Sequence, residues 1–157
     1  MKQAGIQFLE GNGLSLSAEF QIDLTPVLVE AIEHGVPVTF SLDFEVMEPR
    51  WYWFNRQVVA WHQERRLSYN PLTRAYRFSI GAIYLNFSSL DEALQALASV
   101  SNLVVPTAVP LRKGEHYHVK LHLSLDTDRL PKPFQLDALY SNDWNLTFQT
   151  KEWDFSP

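Results

Sequence analysis

Cysteine is absent from this 157-residue chain. That removes disulfides, thiol nucleophiles and thiolate metal ligands together. It leaves the compartment open, because a chain of this length can bury a sufficient core without covalent staples. Basic residues are scarce: 13 lysines and arginines face 18 acids, for a formal charge of −5. A phosphate-backbone partner needs clustered positive charge, so no nucleic-acid partner is expected. No apolar run approaches the roughly 18 residues of a membrane span. Met1-Lys2-Gln3 leads straight into a strand pattern, which is not the form of a signal peptide; a domain cut after a removed leader would read the same way. Also missing are a Gly-x-Ser-x-Gly elbow, a phosphate loop, a dinucleotide fingerprint and a His-Glu-x-x-His helix. No cofactor is implied.

What is present is organised around residues 36–56. Val38, Phe40, Leu42, Phe44 and Val46 alternate with Thr39, Ser41, Asp43, Glu45 and Met47. A period of two over that length predicts an antiparallel strand with one buried and one wetted face, central to its sheet. Arg50-Trp51-Tyr52-Trp53-Phe54 follows at once. Exposed aromatics beside arginine make stacking platforms for sugars or peptides, so Arg50, Trp51, Tyr52 and Trp53 are the candidate binding residues. The bland account is that Trp51 and Trp53 close one end of the core.

The other segments complete a β-rich pattern. Ala4, Ile6 and Phe8 predict a strand, and Gly11-Asn12-Gly13 a tight turn into Leu14, Leu16, Ala18, Phe20 and Ile22. Thr25, Pro26 and Gly35 mark both ends of a short helix burying Leu28, Ala31 and Ile32. Residues 57–67, with Trp61 and Leu67 sharing a parity with Gln63 and Arg65, predict a poorly amphipathic strand near an edge. Tyr76, Phe78 and Ile80 oppose the parity of Ile83, Leu85 and Phe87, so Gly81-Ala82 is a bulge or turn. Ser89 and Glu92 form a capping box for a helix ending near Asn102.

Leu103, Val105, Val109 and Leu111 predict a strand whose other parity holds Pro106 and Pro110. Proline cannot donate to a ladder, so that side should be a free edge, with the strand of Tyr117 to Leu125 paired on the other. Leu130-Pro131-Lys132-Pro133 is expected to be extended and stiff, and it reads as a strand connection rather than a docking segment. A last strand carries Trp144, Leu146 and Phe148. About eight strands with two short connecting helices in one domain of residues 1–157 predict an antiparallel β-sandwich, immunoglobulin-like in general form. An α+β layer with both helices on one face of an antiparallel sheet is the alternative.

Two polar groupings bear on chemistry. His116, His118 and His122 share a strand face, and imidazoles bind zinc or copper well. Alternate residues on a strand are about 7 Å apart, however, and no carboxylate stands at a recognised ligand spacing, so no metal is expected; His118 and His122 are the weak candidates. Asp126-Thr127-Asp128 could begin a calcium loop, but the remaining ligands are missing and turn formation accounts for both acids.

Several blocks together resemble the proteobacterial domain of unknown function 4390 family. They are Ala31-Ile32-Glu33-His34-Gly35-Val36-Pro37-Val38-Thr39-Phe40, Arg50-Trp51-Tyr52-Trp53, residues 67–77 (LSYNPLTRAYR) and Leu90-Asp91-Glu92-Ala93-Leu94. Leu125-Asp126, Leu130-Pro131-Lys132-Pro133-Phe134-Gln135 and Asp143-Trp144 continue the match. The resemblance runs from about residue 4 to residue 155 and brings no catalytic residues with it. It implies a full-length protein with a signal or membrane-anchoring segment, hence an extracytoplasmic location, in the periplasm or anchored facing it. It also implies genes neighbouring a nitrogen-regulation-type sensor kinase and response regulator. The expectation is a non-enzymatic binding or accessory domain of the cell envelope. Its partner would be an envelope protein or the kinase's extracytoplasmic domain, and it would touch the membrane only through the N-terminal segment. A small envelope hydrolase, or a ligand-binding protein using Trp51 to Phe54, is the alternative.

Overall fold

The long alternating strand sits in the middle of the molecule, as its periodicity requires. In the computed structural model, which describes residues 3–9, 13–48, 56–107, 114–140 and 149–155, β3 (Val38–Glu48) is hydrogen-bonded on both sides. Its neighbours are β4 (Arg56–Asn70) and β8 (Tyr117–Leu125). Val38, Phe40, Leu42, Phe44 and Val46 are all fully buried. β8 repeats the pattern, burying Tyr117, Val119, Leu121, Leu123 and Leu125 and turning His118, Lys120 and His122 outward.

Two antiparallel sheets make a mainly β, sandwich-like fold. The larger has the order β6-β5-β4-β3-β8-β9, with β5 (Ala75–Ile80), β6 (Ile83–Phe87) and β9 (Gln149–Phe155). The smaller has the order β1-β2-β7, with β1 (Gln3–Leu9), β2 (Gly13–Glu19) and β7 (Ser99–Pro106). One apolar cluster joins Leu14, Leu16 and Val105 of the small sheet to Phe40 and Leu121 of the large one. Helices α1 (Pro26–Glu33) and α2 (Leu90–Ala98) add Leu28, Ile32, Ala93 and Leu97 to it. Sheet and helices therefore cover one face of the six-stranded sheet together; among the described residues the other face buries Thr39 and Ser41 but leaves Asp43, Glu45, His118 and Lys120 partly or fully exposed.

The helix ends form as their residues dictate. Thr25 Oγ1 accepts from Leu28 N at 3.3 Å, and Pro26 begins α1. Gly35 takes φ +89°, which lets Val36 N donate to Ala31 O and Gly35 N to Ile32 O. Those two bonds are the Schellman motif, and the positive φ is why glycine stands there. Ser89 Oγ accepts from Glu92 N at 3.2 Å at the start of α2.

The far end of α2 has no basic residue in its last turn, so its free carbonyls find partners in other layers. Ser99 N bonds Ala96 O, Phe20 N bonds Ala98 O at 2.8 Å, and Arg65 Nη1 reaches Leu97 O at 2.9 Å and Ser99 O at 3.0 Å. Arg65 is 4% exposed. Its Nε donates to Gln63 Oε1 at 3.1 Å, and its guanidinium lies 5.8 Å from the Phe78 ring centre. Desolvation by burial brings its pKa down to about 10.

Several expectations need correction. The edge expectation for β4 holds in part: Gln57 to Arg65 pair with β3 alone among the described residues, whereas Arg66 to Asn70 also pair with β5, which makes β4 interior in the strand order. Its weak amphipathicity comes from Arg65 being used inside the core. α2 ends at Ala98, since Ser99 is extended and Val100 pairs with Ala18. β7 does not pair with β8; it pairs with β2, where Leu14 meets Val105 and Leu16 meets Leu103, and β8 joins the other sheet. A short connection therefore links different layers here. β7 is an edge, as Pro106 implies; Val109, Pro110 and Leu111 lie outside the described residues.

The α-helices number three among the described residues, because α3 (Lys132–Tyr140) takes over the expected extended segment from Lys132 onward. Proline is tolerated in a helix's first turn, where its missing N–H has no partner to lose. Phe134 N and Gln135 N both bond Pro131 O. Gly81-Ala82 is a two-residue turn closing Ile80 against Ile83, with Gly81 at φ +57°. The last strand begins at Gln149, and Trp144, Leu146 and Phe148 lie outside the described residues, as do Gly11 and Asn12.

Candidate functional site

Because side chains alternate along each strand, the buried set of β3 leaves Thr39, Ser41, Asp43 and Glu45 on the opposite face. The register then decides what stands beside them. Asp43 lies between His62 of β4 and His122 of β8. Glu45 lies between Ala60 and Lys120, and Lys120 is opposite Glu152 of β9. His118 is opposite Asp154.

These neighbours interact. His62 Nδ1 is 2.7 Å from Asp43 Oδ1, and its Nε2 is 3.9 Å from Glu64 Oε1. His118 Nδ1 lies 3.2 Å from Asp154 Oδ1, and its Nε2 3.5 Å from Glu152 Oε2. Lys120 Nζ stands 4.0 Å from Glu152 Oε1. Arg129, from a short turn of 3-10 helix at Thr127–Arg129, donates to Glu64 Oε1 at 2.7 Å across the end of β3. These side chains are all well exposed, Asp154 the most at 84%, and such pairs contribute ~0–1 kcal/mol each to stability. Stability does not explain the ladder.

The face is divided by charge. The β3, β8 and β9 part presents Asp43, Glu45, Glu152 and Asp154 among its histidines and Lys120, with an open depression of about 260 Å3 lined by Asp43, Glu45, Lys120 and His122. Toward β6 the charges are Arg66 and Arg77, and a second depression of about 330 Å3 holds Thr39, Glu64, Arg66, Ser79 and Arg129. The Arg77 guanidinium lies 4.2 Å from the Tyr84 ring centre, and its Nε is 3.5 Å from Asn86 Oδ1.

Of the residues singled out in the sequence, Arg50, Trp51, Tyr52 and Trp53 lie outside the described residues. They belong to the connection between Glu48 and Arg56, which are register partners at the ends of β3 and β4. His118 and His122 share the outer face, yet the bonds of His118 run toward β9 while His122 stands beside Asp43. Among the described residues no group of three or more histidines and acids is arranged to hold a metal ion. Asp126 Oδ1 accepts from Asp128 N at 3.2 Å, the turn role its spacing suggests. Sequence reasoning missed Asp43, His62, Lys120, Glu152 and Asp154 as a set. Only the pairing of β3 with β4, and of β8 with β9, brings them together.

The model of a family described as "domain of unknown function (DUF4390)" matches residues 1–154, nearly the whole chain. The chain belongs to the DUF4390 family. No curated protein and no solved structure shows a significant match to it. For DUF4390, then, the divided outer face of the large sheet is a structural feature on which a functional reading can rest. Within this member no described helix is long and apolar enough to cross a membrane.

Proposed function

We propose that this DUF4390 domain is a non-enzymatic binding or accessory module of the bacterial cell envelope, docking a protein partner on the outer face of its six-stranded sheet. One observation carries the reading: among the described residues no second layer packs on the outer face around Asp43 and Lys120, and that face bears a ladder of charges too exposed to be there for stability. Complementary charge of this kind steers and orients a partner. The extracytoplasmic setting, and the neighbouring sensor kinase as partner, come from the family resemblance.

The 2.7 Å contact of His62 with Asp43 favours the second reading, a small envelope hydrolase, since an acid-oriented imidazole is half of a nucleophile-activating device. The other imidazole nitrogen, however, has Glu64 as its neighbour at 3.9 Å. A carboxylate there supports an ion pair rather than an activated hydroxyl. Calorimetric titration with the extracytoplasmic domain of the neighbouring kinase separates the readings. Binding that Lys120→Glu weakens roughly tenfold agrees with the proposal. Turnover of chromogenic esters or glycosides that His62→Ala abolishes would replace it with the hydrolase. A fusion of the natural full-length coding sequence to alkaline phosphatase tests the location, because that reporter is active only outside the cytoplasm.

A further inference from the structure

β6 ends the six-stranded sheet, and among the described residues nothing pairs with its outer side. Its five residues, Ile83-Tyr84-Leu85-Asn86-Phe87, contain no charge and no proline. Edges are ordinarily blunted by such residues; β9, at the other end of the sheet, carries Glu152 and Asp154, and β7 ends in Pro106. Ile83, Tyr84 and Leu85 are 75%, 53% and 55% exposed. Ile83 and Leu85 pair in register with Ile80 and Phe78, on the core side of the sheet. The apolar layer thus continues past its covering as far as the edge strand.

The backbone of that edge is in position to pair. Ile80 and Ile83 close a two-residue turn, so they form the hydrogen-bonded pair nearest the loop. Bonded and non-bonded pairs alternate along an antiparallel ladder. Leu85 therefore bonds inward to β5, while the N–H and C=O groups of Tyr84 and Asn86 point away from the sheet. On the outer face Arg77 of β5 leans over the Tyr84 ring, one strand nearer the edge than its own backbone. No carboxylate among the described residues pairs with Arg77, whose contacts are Tyr84 and Asn86.

We propose that the β6 edge accepts an extended segment of a partner protein as a seventh strand, and that this segment alternates apolar with acidic residues. Its apolar side chains would lie over Ile83 and Leu85, completing the core layer. Its acidic ones, about 4.8 Å beyond Tyr84, would meet the Arg77 guanidinium. Strand addition supplies main-chain bonds for affinity, and alternate side chains supply selectivity. A second copy of this chain fits less well: it would offer Tyr84 and Asn86 on that face and leave both Arg77 charges without an acid. The inference rests on the reading of the chain as a binding module, but on neither the charge ladder around Asp43 nor the partner's identity.

The probe is a fluorescein-labelled peptide, acetyl-Thr-Val-Glu-Val-Glu-Val-Thr-amide, with a control carrying lysine in place of glutamate. Fluorescence anisotropy should show saturable binding of the acidic peptide, weakened at least roughly tenfold in the lysine control. Arg77→Glu should reverse that preference. Asn86→Pro, which removes an outward N–H while sparing the bonds to β5, should abolish binding of both peptides, with circular dichroism confirming that each variant is folded. Amide exchange should show new protection at Tyr84 and Asn86. Equal binding of the two peptides, or protection appearing at β9 instead, would overturn the proposal. So would no binding, or self-association of the free protein that Asn86→Pro removes. Loss of kinase-domain binding on Lys120→Glu while the acidic peptide fails would sink this inference alone and leave the binding-module reading standing.

Discussion

Replacing Arg65 by methionine separates two views of a buried cation. The guanidinium is 4% exposed, with no carboxylate beside it in its described contacts, and its Nη1 holds Leu97 O and Ser99 O at 2.9 and 3.0 Å. Methionine keeps most of the stem's volume and removes every donor. Two carbonyls at the α2–β7 junction then lose their partner, at about 1–3 kcal/mol each, the Ser99 carbonyl at the lower end because it lies nearer to water. Relief of the buried charge returns part of that, so Arg65→Met should destabilise the fold by ~2–3 kcal/mol. In a chain of this length that lowers Tm by roughly 4–12 °C. Arg65→Lys keeps the charge but not the fork and should cost about half as much.

Urea unfolding with linear extrapolation measures the difference, and an unchanged m-value shows that the variant unfolds as the wild type does. The pH dependence has a definite sign. Burial lowers the folded-state pKa to about 10, so from there upward the unfolded chain holds more protons at this position than the folded one. The group's contribution to stability then rises with pH, and the gap between wild type and Arg65→Met should widen above about pH 10. A methionine variant as stable as wild type, or more so, would show that the guanidinium is a tolerated burial and not the tie between β4 and the end of α2.

Phe40→Ala or Phe44→Ala should cost ~3–5 kcal/mol in the same assay, from lost transfer energy plus a cavity; less than about 1 kcal/mol in both would contradict a central β3. Gly35→Ala should cost about 1 kcal/mol because φ +89° admits a Cβ only with strain, although no atom crowds the position more closely than Tyr69 O at 4.0 Å. His62→Ala should change stability by less than about 1 kcal/mol, its partner Asp43 being half exposed. A larger loss would give the ladder a structural role. Zinc at modest excess should leave Tm unchanged, whereas a stoichiometric rise abolished by His118→Ala would establish a metal site.

What the sequence revealed of this fold is what local chemistry determines. Alternation alone marks the buried faces of β3 and β8, and Thr25, Gly35 and Ser89 declare helix ends because a cap is set by residues a few positions away. Strand partners are a different matter. β7 and β8 follow one another in the chain, yet they belong to different sheets, β7 pairing with β2 and β8 with β3. Arg65 blurs the amphipathic pattern of β4 because nothing local shows that its charge is spent on carbonyls 32 and 34 residues away. Pro131 and Pro133 suggested an extended segment, whereas the chain uses them at the opening of α3. The pairing of His62 with Asp43 depends on a register that shifts at Val46 and Met47, so the candidate face became visible only once the strands were aligned.

Amide hydrogen exchange, with and without the extracytoplasmic domain of the neighbouring sensor kinase, tests the central claim most directly, because it reports where a partner sits. The account predicts new protection on the outer strands of the large sheet, at β9 or β6, with β1 and β7 of the small sheet unchanged. Protection confined to β1 and β7 would place the interface on the opposite layer and contradict it.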